Sequence, residues 1–265
     1  MKRIIIFFLF VFSVFRLTYA ANVSVDGIEF DGAKLIDSVT YVPLRSFSEG
    51  LSTVDVDWDG ENRAAEVTGE NLSLTARIGD SFIKCNDRFL YSGKQNIIID
   101  GSTFVPIRAL AKTFGATVVW DNATRTAQVT SGAEAFKSAD EFYNATDLYW
   151  LSKIINAESG GESLVGKIAV GNVVLNRVKS NEFPNSVYDV IFDKKGGVQF
   201  TPVANGSIYK EASEESIMAA KICLEDYKLS NKNILFFLNP AISTSTWVPD
   251  NRDFVMTIGR HDFYA

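Results

Sequence analysis

Histidine and cysteine are scarce in this 265-residue chain, which has one histidine, His261, and two cysteines, Cys85 and Cys223. Zinc hydrolases usually draw on two or three histidines, and cysteine or serine triads need a histidine base. His261 could still pair with Cys223 or a serine, but the sequence has no G-x-S-x-G motif. The scarcity favours carboxylate chemistry with no metal and no cofactor. A structural disulfide is not expected, because the two cysteines fall in different predicted domains.

Basic residues are also in short supply, with 26 Lys and Arg against 32 Asp and Glu, a net charge of −6. A surface of this sign repels phosphate backbones. The sequence has no basic cluster and no glycine-rich phosphate loop. We therefore expect no nucleic-acid partner.

Long apolar runs are confined to the N-terminus. A basic segment at residues 1–3 precedes an apolar run over residues 4–15, and Ala20 is a small residue of the kind found at signal-peptide cleavage sites. The run is shorter than the ~20 residues of a membrane-spanning helix, and Arg16 interrupts it. We expect a signal peptide at 1–20 and a secreted protein without a membrane anchor. Its cleavage leaves 23 basic residues against 32 acidic ones, a net charge of −9.

Residues 22–131 contain one pattern twice. The sequence TYVPLR at 40–45 returns as TFVPIR at 103–108, and Trp-Asp at 58–59 returns at 120–121. Each copy predicts a strand ending at Val-Pro, a short helix and a hairpin at Trp-Asp, and repeats of this kind share a core and stack or pair. The predicted helices cover residues 44–51 and 107–114.

These two copies resemble the copper amine oxidase N-terminal-like domain, since both keep Val-Pro-hydrophobic-Arg and Trp-Asp. The region has no histidine, so we expect no copper ligand. We interpret it as a wall-attachment or spacer domain. Trp58 and Trp120 can stack on sugar rings or, as is commoner in hairpins, serve in the core or in packing. Arg45 and Arg108 are expected to make structural pairs.

Residues 132–139 are mostly small and polar and predict a linker, after which residues 140–265 show helical periodicity. Thr146 or Asp147 is the expected cap of a helix that ends at Glu158. Further elements are predicted as helices at 164–178 (capped by Ser163), 184–191 and 214–227, and strands at 234–237 and 254–258. The fold class is α+β, a β-rich N-terminal repeat domain followed by a mainly helical domain.

Glu158 continues the helical face formed by Leu151, Ile154 and Ile155, at a position where an apolar residue is usual. Burial disfavours a charged carboxylate, so this position predicts a raised pKa and a general acid. The alternative is a solvated glutamate at a frayed helix end.

The second domain resembles the SleB-type cell-wall hydrolases, the spore-cortex-lytic enzymes. The motifs that carry the resemblance are INAE at 155–158, GE at 161–162, VLNRV at 174–178, QFT at 199–201, NP at 239–240 and TIGRHDFY at 257–264. The resemblance implies a lysozyme-like fold. It also implies a lytic transglycosylase that cleaves peptidoglycan between N-acetylmuramic acid and N-acetylglucosamine, leaving a 1,6-anhydro product. The expected place of action is the cell wall or the spore cortex, in sporulation and germination.

The resemblance also implies roles for individual residues. Glu158 is the expected catalytic acid, and the expected substrate-binding residues are Glu162, Gln199, Phe200, Thr201 and Asn239. A solvated role stays open for Glu162, and Phe200 and Trp247 can line the cleft or belong to the core. The chain has Ser159-Gly160 where the family often has Ala-Arg. Two other functions remain open, an N-acetylmuramoyl-L-alanine amidase and a noncatalytic cell-wall binding protein.

Overall fold

The computed structural model describes residues 19–132, 134, 136–195, 197–244 and 246–265. Residues 1–18 of the predicted signal peptide lie outside this part of the chain. The α+β expectation is confirmed, because a β-rich region precedes a region dominated by helices.

Short strands connected by tight turns build the β-rich domain. They are β1 (Tyr19–Ala20), β2 (Asn22–Val25), β3 (Ile28–Phe30), β4 (Lys34–Ile36), β5 (Val39–Pro43), β6 (Val54–Asp59), β7 (Ala64–Gly69), β8 (Leu72–Arg77), β9 (Phe82–Cys85), β10 (Arg88–Tyr91), β11 (Ile97–Ile99), β12 (Ser102–Pro106), β13 (Thr117–Asp121) and β14 (Thr126–Thr130). Helices α1 (Leu44–Leu51) and α2 (Ile107–Thr113) occupy the same place in the two copies, as predicted. The strands form sheets in the orders β1-β4-β5-β12-β11, β10-β9-β8-β7-β6 and β13-β14-β2-β3.

The two copies of the repeat meet at their Val-Pro strands. Strands β5 and β12 pair antiparallel, with Val42 opposite Val105, and both valines are fully buried. Phe47 of α1 and Leu110 of α2 pack into the same core. The prediction that the copies share a core and pair is confirmed.

Each Trp-Asp pair ends the first strand of a hairpin, at β6 and β13. Both tryptophan side chains are exposed, Trp58 at 47 % and Trp120 at 41 %, so neither is a core residue, and stacking on sugar rings stays an open alternative. They occupy strand positions that face water rather than the core. The pairing predicted for the arginines is found, since Arg45 lies 3.8 Å from Glu49 and Arg108 donates to the Val118 carbonyl.

The second domain contains the longer helices. They are α3 (Ala139–Phe142), α4 (Ala145–Ser159), α5 (Leu164–Lys179), α6 (Val187–Phe192), α7 (Thr201–Asn205), α8 (Glu214–Leu224) and α9 (Trp247–Asn251), with a 3-10 turn at Ser207–Tyr209. A sheet in the order β15-β17-β16 joins β15 (Phe236–Leu238), β16 (Phe254–Ile258) and β17 (His261–Tyr264). Within the described residues, none of these helices has the length and apolar character that crossing a membrane requires.

Three predicted helix ends are wrong in this domain. Helix α6 begins at Val187 rather than at residue 184, because Ser186 caps it by accepting from the Asp189 N–H. Asn144, not Thr146 or Asp147, caps α4, because its side-chain oxygen accepts from the backbone N–H groups of both those residues. Helix α8 ends at Leu224 rather than at residue 227, because Asp226 adopts a left-handed conformation that a helix cannot include. Ser163 caps α5 as predicted, by accepting from the Gly166 N–H.

Helices α4, α5 and α8 pack closely around the core of this domain. Gly171 on α5 allows the approach, because a Cβ there would lie 2.6 Å from Cys223 Sγ and 2.8 Å from Ile155 Cδ1. Burial raises the pKa of the Cys223 thiol to about 12, so this cysteine stays an uncharged core residue. Ile154 and Ile155 are fully buried in the same cluster.

The two domains are joined by a buried ionic cluster. Arg88 on β10 donates twice to Glu225, at 2.7 and 2.9 Å, and both side chains are almost fully buried. Lys112 and Tyr143 also donate to this carboxylate, each at 2.8 Å. Burial alone raises the pKa of Glu225, but these hydrogen bonds outweigh it and hold the pKa below its ordinary value. The predicted linker is fixed at this junction too, where Arg88 contacts the Phe136 ring.

Candidate active site

Glu158 lies in the last turn of α4, whose preceding apolar residues Leu151, Ile154 and Ile155 are completely buried. Burial raises the pKa of Glu158 from its ordinary 4.5 to about 7, and the positive charge of Arg177 offsets part of this rise. No group of the described residues donates a hydrogen bond to this carboxyl. At neutral pH about half of the Glu158 carboxyls are therefore protonated, which suits a general acid.

A cleft of about 640 Å³ opens over Glu158. Its walls come from the end of α4, the turn after it, α5, the start of α7 and the β-sheet of the domain. The side chains that line it are Asn156, Glu158, Ser159, Glu162, Arg177, Gln199, Phe200, Thr201, Phe237, Leu238, Asn239, Ile242, Ser243, Arg260 and His261. The cleft thus brings together Glu158 and all five predicted substrate-binding residues.

Arg177 on α5 is a buried cation in the wall of this cleft, with 5 % of its surface exposed. Its Nε donates to the Leu235 carbonyl at 2.8 Å, and the guanidinium lies 5.1 Å from the Phe200 ring centre. Its Nη1 is buried and has no hydrogen-bond partner among the described residues. Burial lowers the pKa of Arg177 to about 10, opposed by the charges of Asp193 and Glu158, so the side chain stays charged.

Glu162 is held against the turn between β16 and β17. Its carboxylate lies 3.7 Å from Arg260 Nε, and its side chain is 11 % exposed, so the solvated alternative is not what the structure shows. Gly259 has φ +57°, and a Cβ there would overlap this carboxylate. The negative charge of Glu162 also acts on His261, where burial nevertheless lowers the pKa below its ordinary value.

The remaining predicted residues surround the cleft in different ways. Phe200 is buried and lines the wall, so it belongs both to the cleft and to the core. The Gln199 amide donates to the Lys195 carbonyl at 3.0 Å, and the Asn239 side chain accepts from the Ala241 N–H. Thr201 begins α7 with an exposed side chain.

Two further side chains bear on the predicted site. Trp247 lies outside the cleft lining and packs on Phe236. Ser159 donates its hydroxyl back to the Ile155 carbonyl at 2.7 Å, so that hydroxyl is already engaged within α4. Across the described ranges, no group of three His, Cys, Asp or Glu residues is arranged to hold a metal ion.

Arg177 and His261 were not predicted as site residues. Arg177 stands at a buried position of an otherwise mainly apolar helix face. Because arginine is rarely buried, this position could have identified it from the sequence as a candidate site residue. His261 reaches the cleft only because β17 pairs between β15 and β16, and β17 was not predicted as a strand.

Two family sequence models match the chain. Residues 161–264 match the Cell Wall Hydrolase family, and residues 24–129 match the Copper amine oxidase N-terminal domain. The first match begins at Gly161, shortly after Glu158.

Curated spore cortex-lytic enzymes match nearly half of the chain. A spore cortex-lytic enzyme of Bacillus cereus is 36 % identical over 121 residues, which cover 46 % of this chain and 45 % of that protein. The enzyme of the same description from Bacillus subtilis is 34 % identical, with 38 % of its length covered. The chain therefore spans less than half the length of these curated relatives.

A solved structure, the catalytic domain of the germination-specific lytic transglycosylase SleB from Bacillus anthracis, is 35 % identical, with 97 % of it and 46 % of this chain covered and a TM-score of 0.42. Residues 161–264 of the chain are thus similar to the Cell Wall Hydrolase family, the chain is homologous to the spore cortex-lytic enzymes, and residues 24–129 are similar to the Copper amine oxidase N-terminal domain.

Proposed function

We propose that this protein is a secreted peptidoglycan lytic transglycosylase in which Glu158 is the only catalytic carboxyl. The observation that carries the proposal is the pKa of Glu158, which burial raises to about 7 at the floor of the cleft. The homology to spore cortex-lytic enzymes supports the spore cortex as the place of action.

In the proposed reaction, protonated Glu158 gives its proton to the oxygen that links N-acetylmuramic acid to N-acetylglucosamine, as the bond from that oxygen to C1 breaks. The carboxylate then takes the proton of the C6 hydroxyl of N-acetylmuramic acid. The C6 oxygen closes on C1 and gives the 1,6-anhydro sugar. Glu158 ends protonated, as it began, and no water is consumed.

The second acidic side chain of the cleft supports a one-carboxyl mechanism. Hydrolytic glycosidases place two carboxyls on opposite sides of the bond. Glu162 is instead held by the turn at Gly259 and by Arg260, so its charge is already engaged in fixing that wall. We assign Glu162 to holding the site.

Arg177 has two roles in this proposal. Its charge keeps the pKa of Glu158 from rising further, so that the acid can ionise once it has given up its proton. Its unpartnered Nη1 is a costly buried donor. The guanidinium also belongs to the cleft lining, where its positive charge favours the oxygens of a bound sugar or N-acetyl group and so helps to orient the strand.

The test is digestion of purified peptidoglycan, with mass spectrometry of the released fragments. The wild-type protein should release fragments with anhydro ends, Glu158→Gln should release none, and the exposed control Glu211→Gln should match the wild type. Reducing ends or freed stem peptides from the wild type would refute the proposed reaction. Full release by Glu158→Gln would refute the assignment of the acid.

A further inference from the structure

A second cavity, of about 730 Å³, lies in the β-rich domain beside the junction with the helical domain. It shares no lining residue with the cleft over Glu158. Tyr91 of β10 and Tyr227, which follows α8, stand in its wall as an edge-to-face pair with ring centres 4.7 Å apart. Both domains therefore contribute to this cavity.

Trp120 gives the cavity a third aromatic group. Its side chain is exposed, and its indole N–H is already satisfied by the Asn122 side chain at 3.0 Å. The faces of the ring are left for an apolar contact. Aromatic rings of this kind provide a large flat surface at low entropy cost, which suits the C–H face of a sugar ring.

Two guanidinium groups in the lining lack an acidic partner. Arg108 donates to the Val118 carbonyl, which leaves its charge uncompensated, and Arg125 makes no ion pair within the described part of the chain. Both side chains are exposed. Arginine binds carboxylates through two parallel hydrogen bonds, so this pair favours an acidic ligand.

The acidic groups of the lining do not cancel these charges, because other cations already compensate them. Glu225 is paired with Arg88 and Lys112. Asp226 lies 2.8 Å from Lys179. The cavity is therefore a positively charged region with an aromatic wall, in a chain whose net charge is −6.

We propose that this cavity is a second glycan-binding site, which takes a sugar ring together with a free carboxylate of the attached stem peptide and so anchors the enzyme to its polymer away from the cleaved bond. Trp120 stacks on the ring, and Arg108 and Arg125 bind the carboxylate. The proposal rests on the proposed function for the identity of the polymer, because the stem peptides of peptidoglycan place free carboxylates beside the sugar rings of the strand.

The internal repeat supplies matched controls. Trp58 and Arg63 occupy, in the first copy, the places of Trp120 and Arg125 in the second. Trp58 is equally exposed, but neither residue lines the cavity. A general effect of removing a surface tryptophan or arginine would appear in both copies, whereas loss of the site would appear in the second alone.

The experiment measures retention on insoluble peptidoglycan in a Glu158→Gln background, where no cleavage interferes. Trp120→Ala and Arg125→Ala should weaken binding at least about tenfold, and Trp58→Ala and Arg63→Ala should leave it unchanged. Equal effects in the two copies, or no effect in either, would overturn the proposal. In solution, peptidoglycan fragments with free carboxylates should compete for the wild-type site better than chitin oligosaccharides, which lack them, and equal competition would refute the acidic ligand.

Cleavage of short soluble fragments separates this proposal from the proposed function. Trp120→Ala in the otherwise wild-type protein should cleave such fragments at the wild-type rate. If the wild-type protein cleaves no peptidoglycan while Trp120→Ala still loses binding, the proposed function fails and the second site stands. If cleavage occurs and binding survives Trp120→Ala, only the second site fails.

Discussion

Replacing Glu158 with glutamine should make the protein more stable as well as inactive. The folded protein holds this carboxyl uncharged up to a pKa of about 7, whereas in the unfolded chain it ionises at its ordinary value of 4.5. Between these two values the folded state binds the extra proton, so the free energy of unfolding falls as pH rises. Below pH 4.5 the uncharged Glu158 makes its full contribution to the free energy of unfolding. Above pH about 7 this contribution is lost.

The size of the effect follows from the difference between the two pKa values. One pKa unit corresponds to about 1.4 kcal/mol, so wild-type stability falls by about 3 kcal/mol across this range. Glutamine is uncharged at every pH and escapes this loss. Relative to wild type, Glu158→Gln should therefore gain about 3 kcal/mol between acidic pH and pH 8.

Urea unfolding of both proteins at a series of pH values measures this gain. Glu211→Gln, an exposed change in the same domain, should show no comparable trend. A stability difference between Glu158→Gln and wild type that does not change with pH would refute the reasoning, because it would mean that Glu158 has the same pKa folded and unfolded.

Three further changes test the packing and charges around the site. Arg177→Met should move the alkaline limb of the activity profile to higher pH, since the cation no longer lowers the pKa of Glu158; an unmoved limb would contradict this. Gly171→Ala should lower the free energy of unfolding by about 1–3 kcal/mol, and Cys223→Ala in that background should recover part of it in urea titrations. Glu225→Gln should cost about 3–5 kcal/mol, because it leaves the buried Arg88 without its negative partner, and calorimetry that finds no loss would count against a structural role for the junction.

Much of the fold was predictable because it depends on local chemistry. The Val-Pro pairs fix where each repeat changes from strand to helix, since proline sets the backbone angle at that point, and both helices begin there. Ser163 could be predicted as a helix cap because capping also depends on local chemistry. Glu158 was found because its place in an apolar helical pattern implies burial, and burial determines its pKa.

The rest depends on contacts between distant parts of the chain. The outward direction of Trp58 and Trp120 depends on which face of each hairpin meets the core, and the Trp-Asp motif does not encode that. Glu225 ends its helix beside Arg88, a residue of the other domain, so no local pattern could show the pair. His261 likewise reaches the cleft only through the order of three strands.

We propose that a single, largely buried acid, Glu158, breaks the glycan strand without using water. Digestion of peptidoglycan in water enriched in heavy oxygen tests it most directly, with mass spectrometry of the new sugar ends. We expect new sugar ends that carry no heavy oxygen and whose mass is lower, by one water molecule, than that of hydrolysed ends. Labelled oxygen at the C1 position of the new ends would contradict it.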